Sequence, residues 1–226
     1  MVEQLITVLR AEFEAAADPS RAPAMAAYMK EIGPFLGLAA PVRRQAQRRA
    51  LDAVGGRSLR PCEGELRELL GGLWAEPQRE FQYAACDLLR RWAKNSSAAF
   101  LAELERAIIT KSWWDTVDGL APVVGRLVVA HPEQQAVLDG WNRSPDRWLV
   151  RASIIHQLGR RDATDERLLF RRCAFQSGHP DFFVRKAIGW ALRDYARTRP
   201  EAVRAFVAAH PELSAFSKRE ALKHIG

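Results

Sequence analysis

Apolar residues recur along this 226-residue chain at helical spacing. Leu5, Val8, Leu9 and Phe13 form one such set, and Leu66, Leu69, Leu70 and Leu73 another. Each set lies on one face of a 3.6-residue period. Sustained period-two alternation is missing and Val/Ile/Thr clusters are few, so the pattern predicts an all-α protein. The breaks between helical runs share a form, proline followed by a polar or acidic residue: Pro77-Gln78, Pro132-Glu133, Pro145-Asp146, Pro180-Asp181, Pro200-Glu201 and Pro211-Glu212. Proline is tolerated at the first helical position, and an acid in the first turn suits the positive end of the helix. These pairs predict helix starts.

A repeat lies beneath this punctuation. The stretch from Trp148 through Val150-Arg151-Ala152 to Leu158 aligns with the stretch from Phe182 through Val184-Arg185-Lys186 to Leu192. An earlier copy, Glu80 to Leu89, carries Gln82 where the others carry Arg151 and Arg185. The copy missing between them centres near residues 116–117. Helical pairs at such a period predict an α-solenoid, each unit burying its apolar face only by stacking on its neighbours. The period is shorter than the ~40 residues usual for HEAT units, so the repeats are HEAT-like. The expected architecture is one domain over residues 1–226, with equivalent helices lining a concave, basic face. Repeat position alone makes Trp114, Asp118, Arg151 and Trp190 neighbours on that face.

The densest chemistry falls in the missing copy, Lys111-Ser112-Trp113-Trp114-Asp115-Thr116-Val117-Asp118. On a helix, Trp114 and Asp118 lie one above the other. An aromatic face beside an anion suits a cation, or a transition state that becomes one. The pair Asp115 and Asp118 also fits a solvated helix edge. Consecutive helical residues differ by about 100°, so of Trp113 and Trp114 one is core and the other exposed or groove-lining. Trp190, with Lys186 one turn before and Arg193 nearly one turn after, suits a sugar–phosphate backbone or else a core position with solvated flanks. Arg151 follows Arg147 at i,i+4, a like-charge pair that costs a few tenths of a kcal/mol unless an anion relieves it. The alternative is a solvated face. Arg43-Arg44 with Arg48-Arg49, and Arg171-Arg172, extend a candidate phosphate track.

Charge agrees with a polyanionic partner. There are 34 Lys and Arg against 27 Asp and Glu, a formal net charge of +7. Nucleic acid is the commonest such partner, although a ribosomal or membrane-surface protein carries the same signature. Cys62, Cys86 and Cys173 are far apart and in no Cys-x-x-Cys spacing, which fits reduced thiols rather than a disulfide framework or zinc site. The scattered histidines give no metal site. Gly55-Gly56 and Gly71-Gly72 lack the lysine and spacing of a phosphate loop. Ser-His-Asp catalysis, helix-hairpin-helix and zinc-finger signatures find no support. The N-terminal stretch has no apolar core of signal-peptide length, and no run approaches the ~18 apolar residues of a membrane span. The expectation is a soluble, cytoplasmic protein.

These residues together resemble a known family. Lys111 to Asp118 is similar to the signature of the bacterial DNA alkylation repair enzymes of the AlkD type, which are HEAT-like DNA glycosylases. Met25-Ala26-Ala27-Tyr28-Met29-Lys30 with Phe35-Leu36-Gly37 resembles the family's N-terminal motif. Phe182 to Tyr195 and Lys218 to His224 resemble its C-terminal ones. The departures lie in loops, Gly55-Gly56-Arg57 and Ser177-Gly178-His179.

The resemblance implies removal of positively charged alkylpurines, such as 3-methyladenine, 7-methylguanine and bulky N3 or N7 adducts, from double-stranded DNA. Its catalytic groups fall on Asp118, Trp114, Trp190 and Arg151, and Tyr28 matches a tyrosine of the DNA-facing surface. Lys30, Lys111, Trp113, Arg147, Lys186 and Arg193 are further candidate DNA contacts. The implied mechanism needs no cofactor and no general acid, because a cationic purine is already a good leaving group. Asp118 would stabilise charge developing on the deoxyribose and orient water, the tryptophans would hold the sugar, and Arg151 would hold a phosphate. The base would not be flipped into a pocket, and the enzyme would work as a monomer on the DNA of a bacterial nucleoid. A non-catalytic scaffold binding DNA or another partner is the alternative; intact Asp118, Trp114 and Trp190 speak against it.

Overall fold

The computed structural model describes residues 1–225, and among the described residues every regular element is helical. Two compact units divide the chain, one ending at Glu103 and the other beginning at Leu104.

The N-terminal unit contains α1 (Val2–Ala15), α2 (Ala22–Tyr28), α3 (Ala40–Ala53), α4 (Glu63–Ala75) and α5 (Arg79–Trp92). The boundary between units falls inside α6 (Leu101–Ile109). Of the periodic apolar set of α1, Leu5, Leu9 and Phe13 are buried and Val8 is half-buried, with Leu9 and Phe13 fully covered and Phe13 packed on Phe81 of α5 at 5.2 Å. The fully buried Glu80 accepts backbone N–H groups of Leu36, Gly37 and Leu38 at 3.0–3.1 Å, which fixes the loop before α3. Gly37 is required there: its φ is +85°, and a Cβ would stand 2.0 Å from the Asp18 carbonyl oxygen.

The C-terminal unit contains α7 (Trp114–Ala130), α8 (Gln135–Asn142), α9 (Arg147–Ile155), α10 (Glu166–Phe175), α11 (Phe182–Ala196), α12 (Pro200–Ala209) and α13 (Ala215–Leu222). Within it α7 packs on α9, α9 on α11 and α11 on α13, the side-by-side order the repeat predicts. One apolar core, including Val150, Ile154, Val184, Ile188 and Leu192, runs through these helices. Two glycines let them approach closely. A Cβ on Gly125 would stand 2.1 Å from the His156 carbonyl oxygen, and one on Gly189 would stand 2.6 Å from Glu220 Cβ.

The helix starts differ in detail from the sequence expectation. Pro200 does occupy the first turn of α12. At α9 and α11 the acid is instead the N-cap, and the proline lies one residue outside. Asp146 accepts the N–H groups of Trp148 and Leu149, and Asp181 those of Phe183 and Val184. A short carboxylate in extended backbone reaches these orphan donors directly, a stronger interaction than a first-turn charge near the dipole.

Candidate active site

Helix α7 begins at Trp114, so the two adjacent tryptophans are separated by a helix boundary. Trp113 is the N-cap, in extended backbone with φ −157°. Its ring packs 5.6 Å from Trp148 and 5.1 Å from Phe183, and those two lie 5.0 Å apart. The trio places Trp113 in packing at the root of α7. Trp114 and Asp118 lie one helical turn apart on the same face, both half-buried. Pro122 sits inside the same helix and has no N–H to give the Asp118 carbonyl.

Arg151 of α9 reaches Asp118 as a fork. Its Nε donates to Oδ1 and its Nη2 to Oδ2, each at 2.7 Å, while Nη1 donates to the carbonyl of Phe183 at 2.8 Å. The arginine side chain is 2% exposed and that of Asp118 17%. Each nitrogen of the guanidinium thus donates one hydrogen bond to protein, and in this structure Arg151 holds the carboxylate. Burial pushes the Asp118 carboxyl above its ordinary value, and the Arg151 fork pulls it back part of the way. Asp115 adds to the rise, and Lys186 opposes it. Each Asp118 oxygen spends one lone pair on the fork and keeps another for a ligand.

Trp190 completes the group from α11. The Arg151 guanidinium carbon lies 5.9 Å from its ring centre, and the ring, partly exposed, packs against the core of the unit. Gly189 before it lets α11 lie close to α13. Repeat spacing thus brings together residues from α7, α9 and α11.

The flanking cations divide into two kinds. Arg147 pairs with Asp181 at 3.1 Å and lies 4.9 Å over the Trp148 ring, and Arg193 pairs with Glu220. The like-charge strain expected of Arg147 and Arg151 is relieved by carboxylates of the protein itself. Lys186 is exposed and lies 5.7 Å over Phe182, and Lys111 is exposed at φ +52°. In the N-terminal unit Tyr28 is 74% exposed and Lys30 is exposed at φ +61°, just past the end of α2.

The arginine clusters read from the sequence as a phosphate track turn partly inward. Arg172 is buried and pairs with Asp139, which also takes Arg171. Arg43 is buried against Asp87, and Arg49 pairs with Glu12. Carboxylates of the protein itself take up these arginines, so a basic run in sequence is not by itself a track of open charge.

Asp181 and Phe183 belong to the site and were not singled out in the sequence. The first caps α11 and holds Arg147; the second offers its carbonyl to Arg151. The Pro-Asp pair repeated at 145–146 and 180–181 was the available signal for Asp181. A backbone acceptor leaves no trace in residue type.

The fold and site define a class: an all-helical repeat protein that holds a buried carboxylate–guanidinium pair beside partly exposed tryptophans. The family model for the DNA alkylation repair enzyme matches residues 9–225, across both units. The chain belongs to that family. Among solved structures it is similar to a "predicted DNA alkylation repair enzyme" from Enterococcus faecalis, at 27% identity over 93% of this chain and 97% of that one, with a TM-score of 0.79. It also shares the fold of AlkD2 from Streptococcus mutans, at 16% identity over 79% of this chain and 88% of that one, TM-score 0.61. No curated protein matches the chain significantly.

Proposed function

We propose that this protein is a DNA glycosylase. It hydrolyses the N-glycosidic bond of positively charged alkylpurines in duplex DNA, such as 3-methyladenine, 7-methylguanine and bulkier N3 or N7 adducts, without taking the base into a pocket. The observation that carries this reading is the Asp118 carboxylate, buried but held by the Arg151 fork, with Trp114 and Trp190 beside the pair.

A cationic purine leaves with the electrons of the C1′–N bond and becomes neutral, so no acid need protonate it. The expensive species is the oxocarbenium-like sugar left behind. A carboxylate in a poorly hydrated site stabilises that charge more than it would in water. Its free lone pairs orient a water that adds through oxygen to C1′, and the water's proton passes to Asp118 or solvent. The tryptophan rings offer electron-rich faces to the same developing cation. Arg151 acts through Asp118, keeping it charged and aimed. Selectivity then follows from the leaving group, and neutral lesions are poor substrates.

The test is release of 7-methylguanine from methylated duplex DNA by the wild type and by Asp118→Asn. Release by the wild type that largely disappears in the variant is expected. A wild type that binds DNA and releases nothing would overturn the enzyme reading in favour of a DNA-binding scaffold.

A further inference from the structure

The N-terminal unit holds an open cleft of about 850 Å³. Arg48 from α3, Arg60 from the loop before α4, Arg91 from the last turn of α5, and Lys94 just beyond it all line it. Glu63 is its one carboxylate among the described residues. That carboxylate is already engaged: Arg67 donates to it at 2.6 Å, and Ser97 donates its N–H at 2.6 Å and its hydroxyl at 2.9 Å. Arg48, Arg91 and Lys94 are exposed and make no ion pair among the described residues. Part of the charge has a local reason, since cations in the last turn of α5 complement the negative end of that helix. Arg48 has no such reason.

We propose that this cleft is a second phosphate-binding site, taking the sugar–phosphate backbone of duplex DNA away from the reacting sugar. The inference rests on the DNA reading above and adds a site to it. Arg48, Arg91 and Lys94 carry positive charge around one committed carboxylate and repel one another until an anion enters, and the opening is too wide for a single phosphate. The Arg91 guanidinium is held 5.4 Å over the Trp92 ring, which limits its freedom before an anion arrives. The Trp92 indole Nε1 is buried with no hydrogen-bond partner among the described residues. In its arrangement the cleft contrasts with the neighbouring arginines of α3: Arg43 and Arg49 are spent on Asp87 and Glu12, whereas Arg48 faces the opening.

The experiment is binding of a fluorescent, unmethylated duplex across a salt series by the wild type, by Arg48→Gln/Arg91→Gln, and by the milder single variants Arg48→Gln and Lys94→Gln. Each phosphate that the protein no longer neutralises makes the slope of log affinity against log salt shallower by about 0.9. The double variant is expected to leave about two phosphates unneutralised and to bind at least about tenfold more weakly at low salt, and each single variant to leave about one. Variants that match the wild type in slope and affinity overturn the proposal while leaving the glycosylase reading intact. A wild type that binds no duplex overturns both. Pyrophosphate, titrated calorimetrically, separates sources: variants that no longer bind pyrophosphate yet keep DNA affinity would show a small-phosphate site, and the proposal would fall.

Discussion

The two units use arginine in opposite ways. In the C-terminal unit Arg151 is 2% exposed, and Asp118 with the Phe183 carbonyl accepts one hydrogen bond from each of its nitrogens. In the N-terminal cleft Arg48 and Arg91 are exposed and lack a carboxylate partner among the described residues. A formal charge of +7 does not distinguish the two. What distinguishes them is where the acceptor lies. An arginine whose acceptors are supplied by its own fold is held in place; one without a protein acceptor is open to an anion from outside.

The comparison breaks most visibly at Asp118. Asp118→Asn keeps the shape and removes the charge, and single-turnover release of 7-methylguanine should fall about 10²–10³-fold, the scale of removing one electrostatic interaction with a transition state. Duplex affinity should not fall, since a negative charge has been taken away. Retention of the full rate would leave the ion pair without a catalytic part.

Arg151→Met should cost about 3–5 kcal/mol in denaturant unfolding, because it strands a carboxylate in a poorly hydrated place. The same variant sharpens the pH argument. The proposed mechanism requires ionised Asp118, and burial raises its pKa above the ordinary 3.8. The acid limb of the rate profile should therefore lie above that of an ordinary aspartate, and move higher still when the fork is removed. For stability the sign is opposite in sense. The folded carboxyl keeps its proton to higher pH than the unfolded one, so this group favours the fold most in acid and less as pH rises past its ordinary value. A limb that moves down in Arg151→Met would contradict the assigned role.

Gly189→Ala forces a Cβ to 2.6 Å from Glu220 Cβ and should cost about 1–3 kcal/mol, with slower base release because Trp190 follows it. Asp181→Ala removes the cap of α11 and should cost about 1 kcal/mol. At the far end, Arg48→Gln in the open cleft should move stability by no more than about 0.5 kcal/mol, as surface changes do. A larger effect there would make Arg48 structural and erase the contrast.

Much of this was legible in the sequence. The apolar spacing and the recurrence of Val150-Arg151 as Val184-Arg185 foretold helices stacked in order, and that order brings residues 118, 151 and 190 together. Packing repeats itself because each helix buries an equivalent face. The signature around Trp114 and Asp118 was legible through its resemblance to the family. Two things were not. The partners of Arg147, Arg151 and Arg172 depend on which side of a helix each guanidinium leaves from, and on acceptors 30 or more residues away. The role of Phe183 is carried by a backbone carbonyl that any residue could supply. The cleft was only partly legible: Arg48 was read in a candidate phosphate track, but Arg60, Arg91 and Lys94 come from other elements and were not joined to it.

The Arg151 guanidinium ties a side chain of α7 to the backbone of α11 while belonging to α9 itself. Such a centre is owned by no single repeat; it exists only as an interval of three in fixed succession. Repeat arrays commonly lengthen and shorten by whole units, but one more unit inserted between α7 and α11 would part the members of this centre while leaving every helix intact. A length change outside these three helices would leave the centre whole, whereas one within them would dismantle it without unfolding a single helix.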